Sequence, residues 1–140
     1  MAQQGNWKVL EIEDLANDDK LLWEKYHRGQ CPGLAEGMLD GSGARYFGIA
    51  LLRNNAVGKQ EKLVLLKTGR AGISVKTLVK SESIALPHVT WRASPGRYLD
   101  YNTGRYVDIK FDSIIYEEME ASSTQFYFDK NAILSLVASN

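Results

Sequence analysis

The chain has 140 residues, of which 44% are hydrophobic and 24% charged, and this composition argues against a disordered chain. No apolar run approaches the roughly 20 residues that span a bilayer, and the start, MAQQGNWKVLEIED, lacks the basic and apolar regions of a secretory signal. A single cysteine, Cys31, excludes an internal disulfide. We therefore predict a cytoplasmic or otherwise intracellular protein without membrane contact.

Charge is spread unevenly along the chain although the total is zero. Residues 1–40 carry four basic and eight acidic side chains, residues 41–110 carry twelve and four, and residues 111–140 carry one and five. A basic middle therefore separates two acidic ends. This segregation is the least generic feature of the sequence, and it favours recognition of a charged partner.

Residues 1–28 predict a short extended lead-in followed by a helix. The helix covers NDDKLLWEKYHR, with Asp14 or Asn17 as its cap. Acidic residues fall in its first turn and basic residues in its last, as the helix dipole favours. Leu15, Leu22 and Tyr26 lie seven and four residues apart, which predicts one buried apolar stripe.

Residues 29–43, GQCPGLAEGMLDGSG, contain five glycines and a proline. Such density is typical of a loop, and we predict a long connection here. Cys31 is interpreted as an inert thiol in this loop. His27, Cys31 and His88 have a tolerable spacing for zinc, but they leave the ligand set incomplete, so neither a metal nor another cofactor is expected.

Residues 44–128 predict a β core of short segments rich in β-branched and aromatic residues, separated by turn-type clusters. The segments are RYFGIALLR, KLVLLKT, GISVKTLVK, SIALPHVTWR, RYLDY, RYVDIKF, SIIYEEMEA and TQFYFD. In ISVKTLV, alternation places Ile73, Val75, Thr77 and Val79 on one face. Pro87 interrupts its run, which predicts an edge or bulged strand there.

Residues 129–140 fit either a helix or a strand at this length. Together the patterns predict a single α+β domain over residues 1–140. Its core is mostly antiparallel β, arranged as a meander, a small barrel or a sandwich, with one N-terminal helix packed on it.

The stretch RYLDYNTGRYVDIKF predicts a hairpin, because Asn102 and Gly104 tolerate the positive φ of a tight turn. Alternation along it makes Asp108 and Lys110 the polar face of a half-buried strand. The Asp108-Ile-Lys110 triplet also resembles the nuclease family named for its Pro-Asp…(Asp/Glu)-x-Lys motif.

That resemblance implies a magnesium-dependent nuclease in which Asp100 and Asp108 hold the metal and Lys110 stands beside the attacking water. A helical acid, here Glu24, would join them. In this chain Leu99 replaces the family's proline. We favour the plain strand, and so a protein without catalytic residues, and keep the nuclease as an alternative.

The basic middle interleaves cations with aromatic rings, a combination that holds single-stranded nucleic acid by its phosphates and bases. We therefore expect a non-catalytic module that contacts nucleic acid through a β surface. The predicted contact residues are Arg45, Tyr46, Lys62, Lys67, Arg70, Lys76, Lys80, Trp91, Arg92, Arg97, Tyr98, Arg105 and Tyr106.

The same residue types also suit a protein interface, and this alternative stays open. On this interpretation the protein is an interaction or assembly subunit that forms oligomers, and its segregated charges guide docking, head to tail in a homo-oligomer. The sequence does not separate the two binding hypotheses, because both use exposed tyrosines and arginines.

Overall fold

The structure is a computed structural model, and it describes residues 6–55 and 58–139. In these residues it contains the α-helix α1 (Asn17–Tyr26), a short 3-10 helix (Ile12–Asp14) and eleven strands. The strands are β1 (Lys8–Val9), β2 (Leu34–Gly37), β3 (Arg45–Asn55), β4 (Gly58–Gly69), β5 (Gly72–Ile84), β6 (Val89–Ala93), β7 (Gly96–Asp100), β8 (Arg105–Ile109), β9 (Ser113–Glu118), β10 (Ser122–Asp129) and β11 (Ala132–Ser139).

Five strands form one antiparallel sheet, called sheet A. Strands β3, β4 and β5 follow one another as a meander, and β1 and β2 both pair with the other side of β3. The register places Ala50 opposite Leu63 and Leu63 opposite Val79. Strand β5 therefore forms one edge of sheet A.

The second antiparallel sheet, called sheet B, has the strand order β11, β10, β9, β6. Strands β7 and β8 form a separate two-stranded hairpin between β6 and β9 in the chain. The hairpin is attached to β11, because the Tyr101 N–H donates to the Val137 carbonyl at 2.9 Å. Among the described residues neither sheet closes into a barrel.

The hydrophobic core lies between the two sheets. Directly paired residues point to the same side of a sheet, and on sheet A the inward side contains the buried residues Tyr46, Ala50 and Leu52. Gly48 lies on the same side, and a Cβ there would come within 2.8 Å of a methyl group of Ile114 in β9. A glycine is needed at this point because the two sheets approach so closely.

Helix α1 packs through one aromatic side chain. Trp23 is 1% exposed, its indole N–H donates to the Gln30 carbonyl at 2.8 Å, and its ring stacks on His27. The predicted stripe is wrong at Tyr26, which is 64% exposed. The spacing of Leu15, Leu22 and Tyr26 did not predict the buried side of the helix, because the indole of Trp23 faces the core and the phenol of Tyr26 faces solvent.

The sequence-based fold prediction is confirmed in its main feature, a mostly antiparallel β core with one N-terminal helix. Two segments differ from expectation. Residues 29–43 are not only a loop, since they contain β2, which alternates buried Ala35 and Gly37 with exposed neighbours and pairs with β3. The ambiguous C-terminal segment is a strand, β11.

Strand β5 departs from simple alternation. The register shifts between the pairs Leu63–Val79 and Val64–Thr77, so that Leu78 is an extra residue. Val79 consequently faces the opposite side from Ile73, and the predicted four-residue face ends at Thr77. No helix among the described residues is long and apolar enough to cross a membrane.

Candidate functional site

The outer face of sheet A is the side that points away from sheet B. Its apolar residues lie on four adjacent strands, and their register brings them into contact across the sheet. We call this group the apolar outer face: Leu34, Phe47, Ile49, Leu51, Val64, Leu66, Ile73 and Val75, of which Val64 is buried at 7% exposed.

Much of the apolar outer face is open to solvent. Ile73 is 72% exposed, Val75 61% and Leu34 43%, while Phe47 and Leu66 are half-buried. These residues are neighbours in register, since Phe47 pairs with Leu66 and Leu66 with Val75. Contiguous apolar patches are uncommon on monomeric proteins and mark interaction sites. Such a surface is chemically suited to bury apolar groups of a partner.

The free edge of β5 borders this face. Residues 72–77 are all exposed, and their register with β4 is regular. Further along, the strand is interrupted by the extra residue Leu78 and by Ser83, whose φ is 57°. Bulges and lysines are the usual protection of an edge strand against unwanted pairing. The edge is therefore open only beside the exposed apolar residues.

Three cations border one end of the outer face, and we call them the basic rim: Arg53, Lys62 and Lys80. The cationic groups of Arg53 and Lys62 each lie 4.4 Å from the centre of the Trp7 ring, which sits over this end of the sheet. Two hydrogen bonds to the Gln60 side chain, 2.9 and 2.6 Å long, orient the Arg53 guanidinium. Within residues 6–55 and 58–139, no carboxylate forms an ion pair with the basic rim.

Lys62 and Lys80 are direct partners across β4 and β5. Like charges directly opposite one another destabilise an antiparallel pair. The contact of Lys62 with the Trp7 ring offsets part of this cost. The basic rim is therefore a group of three neighbouring cations at one end of the outer face.

The residues predicted to contact nucleic acid lie on several surfaces. Lys62 and Lys80 are on the outer face, and Lys76 points to the other side of β5. Arg92 lies on β6 and lines an open groove of about 600 Å³ beside β2. Three others, Arg45, Lys67 and Arg70, border a shallow hollow of about 1050 Å³ next to the turn between β4 and β5.

The remaining predicted residues belong to the hairpin or to packed rings. Arg97, Tyr98, Arg105 and Tyr106 are on β7 and β8. Pairing places Tyr98 opposite Val107, so the two hairpin tyrosines are not cross-strand partners. Tyr106 is 60% exposed, and the Arg97 guanidinium lies 4.6 Å from its ring centre.

Two predicted aromatic contacts are packed inside the protein. Tyr46 is 3% exposed and donates a hydrogen bond of 2.5 Å to Asp40. Burial, together with this hydrogen bond, raises the pKa of Tyr46 above its usual value. Trp91 donates to Glu117 at 3.0 Å and packs against His27. Neither ring is presented as a free stacking platform, and the predicted residues do not converge on one face.

The hairpin does not bring the nuclease carboxylates together. Asp100 pairs with Arg105 and Asp108 pairs with Arg97, and these registers put the two carboxylates on opposite faces of the hairpin. Asp100 also accepts hydrogen bonds from Asn102, Val137 and Thr103.

Those bonds, led by the one from the backbone of Asn102, lower the pKa of Asp100. Asp100 and Asp108 therefore cannot hold one metal ion with Lys110 beside it. Glu24 lies on α1, as the resemblance implied for the helical acid. In the part of the chain that the structure describes, no group of three or more histidine, cysteine or carboxylate side chains is placed to hold a metal.

A buried polar cluster was missed by the sequence analysis. Glu61 is 2% exposed, its carboxylate contacts Nδ1 of the His88 ring, and it accepts a hydrogen bond of 2.9 Å from the backbone N–H of His88. Tyr116 stacks on His88 with ring centres 4.7 Å apart. Burial, reinforced by Glu61, raises the pKa of Tyr116. The cluster joins β4 to the segment before β6, which is a structural role.

The buried cluster around Glu61 and the exposed apolar face both left a trace in the sequence, whereas the position of Trp7 did not. In KQEKLVLL, Glu61 occupies the same alternating positions as Leu63 and Leu65, so a carboxylate among core residues was foreseeable. The grouping of Ile73 with Val75 was recognised, but alternation alone does not say which face is covered. Trp7 had no signal, because its position over Arg53 depends on the pairing of β1 with β3.

Comparison with known proteins gave no match: no family model, no curated protein and no solved structure corresponds to this chain. The function is therefore inferred from the geometry of the surface alone.

Proposed function

We propose that this protein is a non-catalytic interaction module that docks another protein on the apolar outer face of sheet A. The observation that carries the proposal is the contiguous, solvent-open patch around Ile73 and Val75, which are 72% and 61% exposed. Burying one such side chain is worth about 1.5–3 kcal/mol. Two of them at the centre of an interface supply a useful part of a micromolar affinity, which is about 8 kcal/mol.

The basic rim would fix the orientation of the docked partner. Apolar contact alone does not fix the orientation of a partner, whereas charges at one end of a patch select a partner with opposite charges at the matching position. Lys62 and Lys80 stand together at one end of the face without a carboxylate partner in the described residues. We therefore expect a partner surface that combines apolar side chains with carboxylates.

Selection of binding peptides from a displayed random library tests this proposal. Peptides that bind the wild-type protein should lose at least tenfold in affinity against Val75→Lys, because a charge replaces an apolar contact. The matched control is Leu134→Lys, which changes a 42% exposed leucine on β11 of sheet B. The proposal fails if selected peptides bind the Val75 variant as tightly as the wild type, or if they lose affinity only with the Leu134 variant.

A second candidate function, contact with a nucleic-acid backbone, is favoured by the hollow beside the turn between β4 and β5. Arg45, Lys67 and Arg70 border this hollow, although Arg45 also forms an ion pair with Glu36 at 2.5 Å. Phosphate contacts of this kind make affinity fall steeply with salt.

The test of this candidate uses labelled single- and double-stranded oligonucleotides at two salt concentrations. Binding that is lost in Arg70→Glu but kept in Val75→Lys supports the nucleic-acid function. The absence of binding at low salt removes it and leaves the protein-docking proposal.

A further inference from the structure

The side of the molecule opposite the outer face carries a concentration of carboxylates. They belong to the N-terminal half of α1 and to the turn between β9 and β10, and we call them the acidic end: Asp18, Asp19, Glu118 and Glu120. Burial raises the pKa of Asp19, and the negative charges of Glu120, Asp18 and Glu118 raise it further. Asp19 itself is buried at 7% exposed, so the carboxylates of the acidic end that reach solvent are those of Asp18, Glu118 and Glu120.

An exposed apolar side chain lies on the same helix as two carboxylates of the acidic end. Leu21 is 71% exposed, and residues three apart share one face of a helix, so Leu21 stands between Asp18 and Glu24. Helix α1 thus presents an acidic-apolar-acidic stripe to solvent. Two lysines, Lys20 and Lys25, also lie on this helix, but the neighbouring turn adds only negative charge.

The acidic end has the chemistry that the outer face requires of its partner. The outer face offers exposed apolar residues beside the basic rim, and the acidic end offers Leu21 beside carboxylates. We infer that the partner docked on the outer face is a second copy of this chain, whose helix α1 lies on sheet A with its carboxylates against Lys62 and Lys80. This inference rests on the proposed function, because it names the occupant of the same surface.

The dimensions of the two surfaces agree. A helix of ten residues is about 15 Å long, and adjacent strands lie about 4.8 Å apart. The axes of β3, β4 and β5 therefore span about 9.6 Å, which is close to the diameter of about 10–12 Å of a helix with its side chains. A sheet with one open apolar face is commonly completed by a helix packed on it.

The two surfaces lie on different sides of the molecule, which determines the symmetry of association. Helix α1 packs on sheet B, where His27 contacts Trp91, whereas the outer face belongs to sheet A and points away from sheet B. A contact between unlike surfaces is heterologous, so it continues from copy to copy and closes into a ring or extends as a chain. The expected species are concentration-dependent oligomers rather than one fixed dimer.

Paired charge reversals test this inference in sedimentation velocity experiments. The rim variant carries Lys62→Glu and Lys80→Glu, and the acidic-end variant carries Asp18→Lys and Glu118→Lys. Each variant alone presents two surfaces of the same sign and should remain monomeric at concentrations where the wild type associates. Their equimolar mixture should associate again, because each variant supplies the surface that the other has lost.

Two controls accompany the mixture. Lys76→Glu changes a lysine of the same strand on the opposite side of the sheet, and it should associate like the wild type. Association of the wild type should weaken between 0.05 and 0.5 M salt, because exposed charges are screened within a few ångströms at the higher concentration. A single chain that carries all four reversals should associate as the mixture does.

The outcomes separate this inference from the proposed function. A wild-type protein that stays monomeric at low salt and high concentration overturns the self-association, as does a mixture that fails to associate. If the selected peptides still bind the wild type more tightly than Val75→Lys, the outer face remains the docking surface and its partner is a different protein. The inference is also overturned if the wild type is monomeric and binds oligonucleotides while the rim variant does not. In that case Lys62 and Lys80 bind a polyanion.

Discussion

Replacing one lysine of the basic rim by glutamate should stabilise the folded monomer and weaken its binding to an acidic partner. Lys62 and Lys80 are direct cross-strand partners, and Lys62 is half-buried. A like-charge pair costs about 0.2–1 kcal/mol, and an opposite-charge pair contributes a similar amount. Lys80→Glu should therefore raise the free energy of unfolding of the monomer by about 0.5–1.5 kcal/mol, while it weakens docking of an acidic partner.

Urea denaturation followed by circular dichroism is the suitable assay, because urea does not screen charges as guanidinium does. The increase should shrink in 1 M salt, where the Debye length is about 3 Å. Lys76→Glu is the control: Lys76 pairs with Leu65 and lacks a charged register partner, so its effect should stay within about 0.5 kcal/mol. The reasoning is refuted if Lys80→Glu destabilises the protein, or if both variants shift stability equally.

Three further predictions concern the fold. Gly48→Ala should destabilise the protein by about 1–3 kcal/mol in urea denaturation, since its Cβ would lie 2.8 Å from a methyl group of Ile114; an unchanged midpoint contradicts the close sheet contact. Glu61→Leu should cost about 1–3 kcal/mol because it leaves the backbone N–H of His88 without its acceptor, and the double variant with His88→Phe should recover the part of the loss that belongs to the ring contact. Burial raises the pKa of Asp40, but its hydrogen bonds outweigh burial and hold the pKa below the usual value. Its stabilisation is therefore present above about pH 4 and lost as the pH falls through the folded-state pKa, so that Asp40→Asn should flatten the acid limb of the stability profile.

Local patterns in the sequence predict the type of most elements. Content of β-branched and aromatic residues in the segments around Ile49, Val64 and Ile115 identifies strands, and acidic residues before LLWEKY identify the helix. These signals are local, because they depend on residues that are close together in the chain. Strand β2 was not predicted because only three residues separate Gly33 from Gly37, which is too few to show alternation. Its pairing with β3 is also a long-range contact that local patterns do not show.

The candidate site was harder to predict than the fold. Alternation grouped Ile73 with Val75, but whether a face is buried depends on which sheet lies against it. The extra residue at Leu78 turned Val79 to the other side, and a register shift of this kind leaves no mark in composition. Charge segregation along the chain was visible from the start, whereas the pairing of Lys62 with Lys80 required the register.

The basic middle illustrates why a linear charge pattern is weak evidence for one surface. Residues four apart in a regular strand share a face, but the extra residue Leu78 places Lys76 and Lys80 of β5 on different sides. Arg97 and Arg105 belong to a hairpin outside both sheets. The predicted contact residues are consequently distributed over several surfaces, and the apolar outer face has cations at both ends: the basic rim at one, and Arg45 and Arg70, which line a hollow with Ile73, at the other.

The most direct test of the central claim is a methyl NMR map of the protein with a peptide selected from the displayed library. Docking on the outer face predicts shifts at the methyl groups of Val75, Leu66 and Leu34, with those of Leu134 on sheet B unchanged. Shifts confined to residues of the hairpin or of sheet B, with Val75 unmoved, would contradict the account.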